Sequence, residues 1–426
     1  MFRERGGAGC GQSWMMAVMA TSVFPEHVTA ERVVVKPQRV LSVDVLRGLT
    51  IALMILVNDP GDWSHVFRQL DHAEWNGWTV TDLVFPTFLF IVGASIVFSM
   101  SARAARGNCK ATLTGRIFAR AGKIFLLYLI IAFFPAMHWT HLRLYGVLTR
   151  IAICYLIAAL IVLATRRVRW LMLIIATLLV GYWVLMRWVP VPGIGMPGRD
   201  VPFMDKNLNL AAWLDRGAIA WTQRWLHTGS LYNHTRDPEG LLSTLPAVAT
   251  TLLGSLAGLA MQAASAGQAS WKSVRVRLAA WGVAGIVAGE VWSLWFPINK
   301  NLWTSSYVLL AAGIAAVLLA VCSSIVDDRP QPWPKWLRAV TWPWLVFGSN
   351  AIAAYTISIV LVKTMLNLHG TGADGVRRTW WYFAYWDAFG RGGSNAWTSL
   401  AFAVCFVAVC FVPVWFLWRK RIFLKL

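Results

Sequence analysis

The sequence predicts an all-α fold, a polytopic membrane bundle of about ten transmembrane helices with both termini in the cytosol. Three observations predict it. Of the 426 residues, 58% are hydrophobic and only 14% are charged, where soluble domains carry about 25% charged residues. Apolar runs of about 18 or more residues recur along the chain, long enough to span a bilayer and too continuous for barrel strands. The connectors between runs alternate between Lys/Arg-rich and Lys/Arg-poor, which fixes one orientation.

In chain order, residues 1–38 read as a flexible cytosolic tail. Their one apolar piece, Trp14–Val23, is short and is not followed by a clean cleavage site, so the stretch does not read as a signal peptide. Membrane helices are expected near 42–58, 83–101, 121–137, 146–165, 170–188, 241–263, 278–296, 304–326, 343–363 and 396–418. Connectors bearing Arg103, Arg106, Lys110, Arg116, Arg120 and Lys123, then Arg166, Arg167 and Arg169, then Lys272, Arg275 and Arg277, then Arg329, Lys335 and Arg338, all fall on the inner side. The tail with Arg419, Lys420, Arg421 and Lys425 falls there too. The outer connectors 59–82 and 298–303 carry only Arg68 and Lys300. The long outer segment 189–240 is rich in Pro, Gly and Trp and is expected to fold as a small cap. The outer segment 364–395 holds Trp380, Trp381, Tyr382 and Trp386. The chain has 26 Trp, which suits an interfacial aromatic belt; some outer rings can instead stack on sugars. Asn233-His234-Thr235 fits a glycosylation triplet.

The net charge of +20 and isoelectric point near 10.3 do not indicate nucleic acid. Membrane topology accounts for the charge, and no recognition motif is present. Cys10, Cys109, Cys154, Cys322, Cys405 and Cys410 show no CxxC or metal-ligand spacing. They read as small core residues, and no metal site is expected.

The most informative stretch is Val57–Pro86. Between two apolar runs it packs Asp59, Asp62, His65, Asp71, His72, Glu74, Asn76 and Asp82 among Trp63, Trp75 and Trp78. A histidine surrounded by carboxylates and amides can do acid–base work near neutral pH. Asp71, Glu74 or Asp82 can orient an imidazole, although Asp82 also suits a helix N-terminus. Asn58 suits a helix C-cap. Asp44 and Arg47, spaced i,i+3, can form a plain ion pair. Arg150, and likewise Glu290 and Lys363, lies in or near an apolar run, where such groups face a protein interior or a wet cavity. Asp237-Pro238-Glu239-Gly240 has the composition of a helix start. Asn299-Lys300-Asn301 is a dense polar outer turn.

These residues also carry a family resemblance. With L-S-V-D-V-L-R-G-L-T (Leu41–Thr50), the Val57–Pro86 stretch resembles the heparan-α-glucosaminide N-acetyltransferase family and its bacterial members. R-L-Y-G-V-L-T-R (Arg143–Arg150), D-P-E-G-L-L-S-T (Asp237–Thr244), P-I-N-K-N-L-W-T-S-S-Y (Pro297–Tyr307), G-S-N-A-I (Gly348–Ile352) and the basic C-terminal R-K-R-I-F-L-K-L match in order. The likeness covers roughly Arg39 to Leu426, so 39–426 reads as one transmembrane acyltransferase domain in the cell's inner membrane.

The resemblance implies transfer of acetyl from cytosolic acetyl-CoA, as cosubstrate, to the amine of an amino sugar on the outer side. It implies that His72 is the active-site histidine, as the base that takes the amine proton or as an acyl carrier. Asn58 is the second catalytic candidate, holding the thioester oxygen, stabilising the oxyanion or orienting His72. Arg47 and Arg150, with Asp44, are the donor-site candidates, since CoA phosphates need cations. Asp237, Glu239, Asn299, Lys300, Asn301, Trp75 and Asn76 are the acceptor-site candidates. Expected partners are acetyl-CoA, an amino-sugar or glycan acceptor, the lipid bilayer and a second copy of the chain in a homodimer. Two other readings stay open: an amino-sugar carrier without covalent chemistry, and an O-acyltransferase acting on a cell-envelope polysaccharide.

Overall fold

The protein is described by a computed structural model covering residues 40–329 and 332–424. The expected tail 1–38, Cys10 and Lys425 lie outside the described residues. The fold is all-α, as expected. The described helices begin with α1 (Leu41–Asn58), α2 (Val80–Ala104), α3 (Lys110–Phe133), α4 (Val147–Ala164) and α5 (Val168–Trp188). After the cap helix α6 (Leu210–Leu226) come α7 (Thr244–Ser265), α8 (Trp271–Trp292) and α9 (Ser305–Val326). The chain continues with α10 (Lys335–Ser349), α11 (Ala351–Asn367), the short α12 (Trp380–Tyr385) and α13 (Ala396–Arg419). A small antiparallel hairpin, β1 (His369–Thr371) and β2 (Arg377–Thr379), precedes α12.

Each of the ten apolar runs coincides with a helix or helix pair. Among the described residues seven helices (α1, α2, α4, α5, α7, α9 and α13) are long and apolar enough to cross a membrane, or eight spans if the bent α10–α11 pair is one. The helices α3 and α8 are long but charged: Lys110, Arg116, Arg120 and Lys123 lie on α3 itself, not in a connector as expected.

The expected single helix 343–363 is corrected. The chain breaks at Asn350 and turns by 78° between α10 and α11. The Asn350 side chain donates to Ile422 O at 3.0 Å and accepts from Leu424 N at 3.1 Å, tying the C-terminal tail to the break. An Asn that binds distant backbone competes with the local helix ladder, and the Gly-Ser pair before it is a common kink site.

Close helix crossings set the core. A Cβ on Gly93 of α2 would lie 1.8 Å from Thr251 O, and one on Gly254 of α7 would lie 1.8 Å from Phe90 O. Only glycine permits that α2–α7 contact, the small-residue packing favoured within membranes. In the same way a Cβ on Gly348 would lie 2.0 Å from Asp44 O, so α10 lies directly against α1.

Segment 189–240 is folded against the bundle and is called the cap below. Val191, Met204, Leu210 and Ala211 are buried with Tyr182, Phe296 and Leu302. Trp139 Nε1 donates to Leu226 O at 2.9 Å, and Thr228 Oγ1 donates to Trp139 O at 2.5 Å, which seats the cap on the bundle. Of the aromatics in segment 380–386, Trp381 is partly buried and packs on Phe402 and Phe406 at 5.0 and 5.4 Å. Cys154, Cys322 and Cys410 are buried free thiols, whereas Cys405 is exposed and Cys109 half-buried.

Candidate active site

The polar loop and the start of α2 build one constellation. Thr79 caps α2, and Asp82 completes the box by accepting from Thr79 N at 3.0 Å. The same Oδ2 accepts from Ala73 N at 3.0 Å, which folds the His72 segment back over the helix start. Oδ1 of Asp82 then lies 2.8 Å from His72 Nδ1. Asp82 is therefore both a cap and the carboxylate that orients the imidazole. Asp71 instead accepts from the His72 backbone N–H.

Asp82 is held from below as well. Pro86 sits one turn along α2 and has no N–H, so the Asp82 carbonyl loses its helical donor. The buried Tyr307 hydroxyl donates to that carbonyl instead.

Lys300 reaches the same group from the 297–304 turn. Its Nζ lies 2.9 Å from Nδ1 and 3.1 Å from Nε2 of His72, and 3.5 Å from Asp82 Oδ1. Equal approach to both ring nitrogens means that the amine does not occupy one in-plane lone pair. The Lys300 side chain is 19% exposed, that of His72 43% and that of Asp82 1%. Burial pulls the Lys300 ammonium below its ordinary range, while Asp82 and Glu239 oppose that pull.

These groups line a cavity of about 500 Å³ that also takes in Asn58, Glu74, Arg143, Glu239 and Asn301. Asn58 ends α1 at its rim, so the cavity joins the two catalytic candidates. Directly after it, burial pushes the Asp59 carboxyl up to about 8. Arg143 donates to both carboxylate oxygens of Asp237, at 2.7 and 2.6 Å, and also to Glu239. Asp237 is buried in this clamp and does not reach the cavity, whereas Glu239 does.

Several expected acceptor residues are occupied elsewhere. Asn299 is fully buried; its Oδ1 accepts from Leu302 N at 2.9 Å, and its Nδ2 donates to Asn76 Oδ1 at 3.2 Å. Trp75 donates to Met204 O at 3.0 Å and lies under the Arg236 guanidinium. These three residues join loop to turn to cap.

Arg150, the other cationic donor-site candidate, lies inside the bundle. It is 1% exposed and lines neither this cavity nor the basic one described next. Its guanidinium donates to Gly240 O at 2.9 Å and to Ser243 Oγ, and it lies over the Trp303 ring. It fastens the segment after Glu239 to the bundle. Glu290 is exposed on α8, and Lys363 donates to Ile131 O and Phe134 O at 2.7 and 2.9 Å.

A second cavity of about 380 Å³ opens at the other end of the same helices. On α2 the lining passes from Phe85 to Phe88, and on α4 from Val147 to Ile151, one turn in each case. Asp82 and Arg103, which line the two cavities, stand about 31 Å apart along α2 at 1.5 Å per residue, close to a hydrocarbon thickness of about 30 Å.

Arg47, Arg103, Arg116, Arg120 and Lys123 line this second cavity, and among the described residues no carboxylate does. Arg47 is braced by Asp44 and donates to Gly348 O at 2.6 Å. The Nε of Arg120 is buried without a partner. The α10–α11 break contributes Ser349, Ala351 and Ile352, so the α11 N-terminus adjoins the cations. In sequence, membrane topology alone accounts for the α3 cations. Their spacing, i, i+4 and i+7 from Arg116, was the available signal of one helix face. Among the described residues no group of three or more His, Cys, Asp or Glu is arranged to hold a metal ion.

A family model described as heparan-alpha-glucosaminide N-acetyltransferase, catalytic, matches residues 39–286. The human (Homo sapiens) protein named heparan-alpha-glucosaminide N-acetyltransferase is 30% identical over 364 residues, 75% of this chain and 52% of the human one. The mouse (Mus musculus) protein of the same name is 30% identical over 361 residues, 74% of this chain and 53% of its own. The chain thus spans about half the length of the curated relatives it matches.

Proposed function

The chain belongs to the heparan-alpha-glucosaminide N-acetyltransferase family, and from that premise we propose that it is a membrane acetyltransferase carrying acetyl from acetyl-CoA to the amine of a glucosamine-type sugar. The observation that carries this reading is the His72–Asp82 pair, set with Asn58 in one cavity that lies in line with a second, basic cavity on the same helices.

The basic cavity suits a donor with several phosphates. It offers five cationic side chains, an orphaned buried guanidinium nitrogen and a helix N-terminus, all of which favour anions. Acetyl-CoA would supply an activated acetyl on a thioester. With the basic end facing the cytosol of an inner-membrane protein, donor and acceptor approach from opposite sides.

At the other cavity Asp82 accepts from Nδ1 of His72, so Nε2 carries the lone pair. Nε2 takes the proton from the attacking amine as the N–C bond forms, and returns it to the departing thiolate as the C–S bond breaks. Asn58 offers an amide N–H to the oxygen that gains charge. Glu239, on the same wall, suits the ammonium form of the arriving sugar, whose extra proton leaves to solvent before the free amine attacks.

The test is purified protein with labelled acetyl-CoA and a panel of amino sugars. The expected product is an N-acetylated glucosamine. Acetyl on hydroxyls alone would favour an O-acyltransferase. Passage of amino sugar across liposomes with no acylation would establish a carrier.

A further inference from the structure

We propose that a third cavity, beside the one that holds His72, seats a phosphate together with the lipid chain it carries, so that the acceptor is an amino sugar linked through phosphate to a membrane lipid. This names the acceptor class for the acetyl-transfer reading and rests on it.

The cavity measures about 690 Å³, more than either of the other two. It lies between the end of α3 and the second half of α11, and it shares Arg143 and Val147 with the His72 cavity. A ligand seated in it therefore abuts the place where the sugar amine would react. Ile131, Ala132, Leu148 and Ile359 give it an apolar wall. The exposed His138 and His141, with the half-buried Lys363, supply hydrogen-bond donors. Among the described residues the lining has no Asp, Glu, Asn, Gln, Ser or Thr. A second sugar ring, with its many hydroxyls, calls for such acceptors and amides. An anion joined to a hydrocarbon chain calls for none of them.

Lys363 is the fixed cation. Its Nζ donates to Ile131 O at 2.7 Å and to Phe134 O at 2.9 Å, both at the end of α3. Two carbonyls hold the ammonium without neutralising it, and they leave a third N–H for a ligand. Arg143, by contrast, is matched by Asp237 and Glu239. Basic pockets between membrane helices take lipid phosphates in this manner.

The surroundings of the mouth suit lipid. Ile359, Lys363 and Leu366 share one face of α11 at i, i+4 and i+7, and Leu366 is exposed. Met137, between the lining residues Ala136 and His138, is 78% exposed. Large apolar side chains beside an opening favour a hydrocarbon surround over water. Trp139 is half exposed and stacks on Phe133. Such rings mark the headgroup level of a bilayer, where lipid phosphates lie.

The test separates phosphate from chain. Full-length protein in nanodiscs receives glucosamine, its anomeric phosphate, dodecyl glucosaminide, or glucosamine joined to dodecanol through that phosphate. The last should give a kcat/KM about tenfold or more above each of the others. Equal use of the anomeric phosphate would give the cavity to a soluble sugar phosphate. Equal use of dodecyl glucosaminide would show that no anion is read. Either result overturns the proposal.

A second readout needs no activity. Binding of dodecyl phosphate is measured against dodecanol, which enters the bilayer without the charge. Lys363→Met should weaken dodecyl phosphate binding about tenfold. Ile359→Trp, which fills the apolar wall, should weaken it at least as much. If Lys363→Met does not purify as a folded species, the double variant His138→Ala with His141→Ala decides, at two exposed positions, with a several-fold loss expected. Wild-type affinity in every folded variant overturns the proposal. Dodecyl phosphate binding that responds to these variants, with no acceptor acetylated, leaves the lipid-phosphate seat standing and removes only the acetyl-transfer reading.

Discussion

Nδ1 of His72 lies 2.8 Å from Oδ1 of Asp82, while the other oxygen of the same carboxylate caps α2 and holds the His72 backbone segment. One carboxylate thus fixes the position of the loop and the tautomer of the ring. Asp82→Asn keeps an oxygen for capping but removes the charge and the tautomer preference. Acetyl transfer should fall by about 10²–10⁴, the usual worth of a general base, with acetyl-CoA affinity within a few-fold of wild type. A near-normal turnover number in a folded Asp82→Asn protein would refute the pairing's role.

The hydroxyl of Tyr307 replaces the helical donor that Pro86 cannot provide to the Asp82 carbonyl. Tyr307→Phe leaves that buried carbonyl without a donor, at a cost of about 1–3 kcal/mol. The thermal midpoint should drop accordingly. Pro86→Ala restores an N–H at the right position, so Tyr307→Phe with Pro86→Ala should recover part of the loss. Strict additivity of the two substitutions would show that they do not share this carbonyl.

Asp59 supplies a pH dependence with a definite sign. Burial raises its carboxyl from 3.8 to about 8, so the folded state binds the proton more tightly than the unfolded state does. Its contribution to stability is complete below pH 3.8, falls as pH rises and is lost above about 8. Thermal midpoints of wild type in detergent should therefore decline toward alkaline pH. Asp59→Asn, neutral throughout, should flatten that decline. An identical slope in both proteins would mean that Asp59 ionises freely where it stands.

The membrane bundle was legible because bilayer spans impose length and apolarity on the sequence itself. His72 and Asn58 were legible because polar groups crowd a connector that a plain turn would not need. The rest depends on residues far apart in the chain. Lys300 meets His72 across 228 positions, and no local pattern announces it. The break at Asn350 follows from a tail 72 residues onward, while the apolar run passes through it unchanged. Arg150 looked like a cavity residue because a charge in an apolar helix needs a reason. Its reason is the carbonyl of Gly240, on a loop about 90 residues away. Asp82 was ambiguous in sequence because it does perform both roles assigned to it.

The basic cavity predicts how the donor binds. Arg116 and Arg120 line it with no carboxylate in the lining among the described residues. Arg120→Ala and Arg116→Ala should each weaken acetyl-CoA binding several-fold, and raising salt should weaken the wild type more than the double variant. Dephosphorylated donor fragments should show smaller losses. Calorimetry showing equal affinity in wild type and double variant would move the donor phosphates to another part of the protein.

The sharpest contrast is between Asn58 and the two histidines of its loop. Asn58 and His72 line one cavity, whereas His65 is held by Asp62 at 2.8 Å and faces a separate small groove with Pro60 and Phe67. His72→Ala should abolish transfer in a folded protein. Asn58→Ala should lower the turnover number by about 10²–10³ with little change in donor affinity, the pattern of a group that binds the oxyanion more strongly than the ground-state carbonyl. Asn58→Asp should be worse still, since a carboxylate would face the developing negative charge. His65→Ala should stay within a few-fold of wild type. Transfer rates with saturating acetyl-CoA and glucosamine separate these outcomes. A His65→Ala loss as deep as that of His72→Ala, or a loss in Asn58→Ala confined to KM, would assign the chemistry to a different set of side chains.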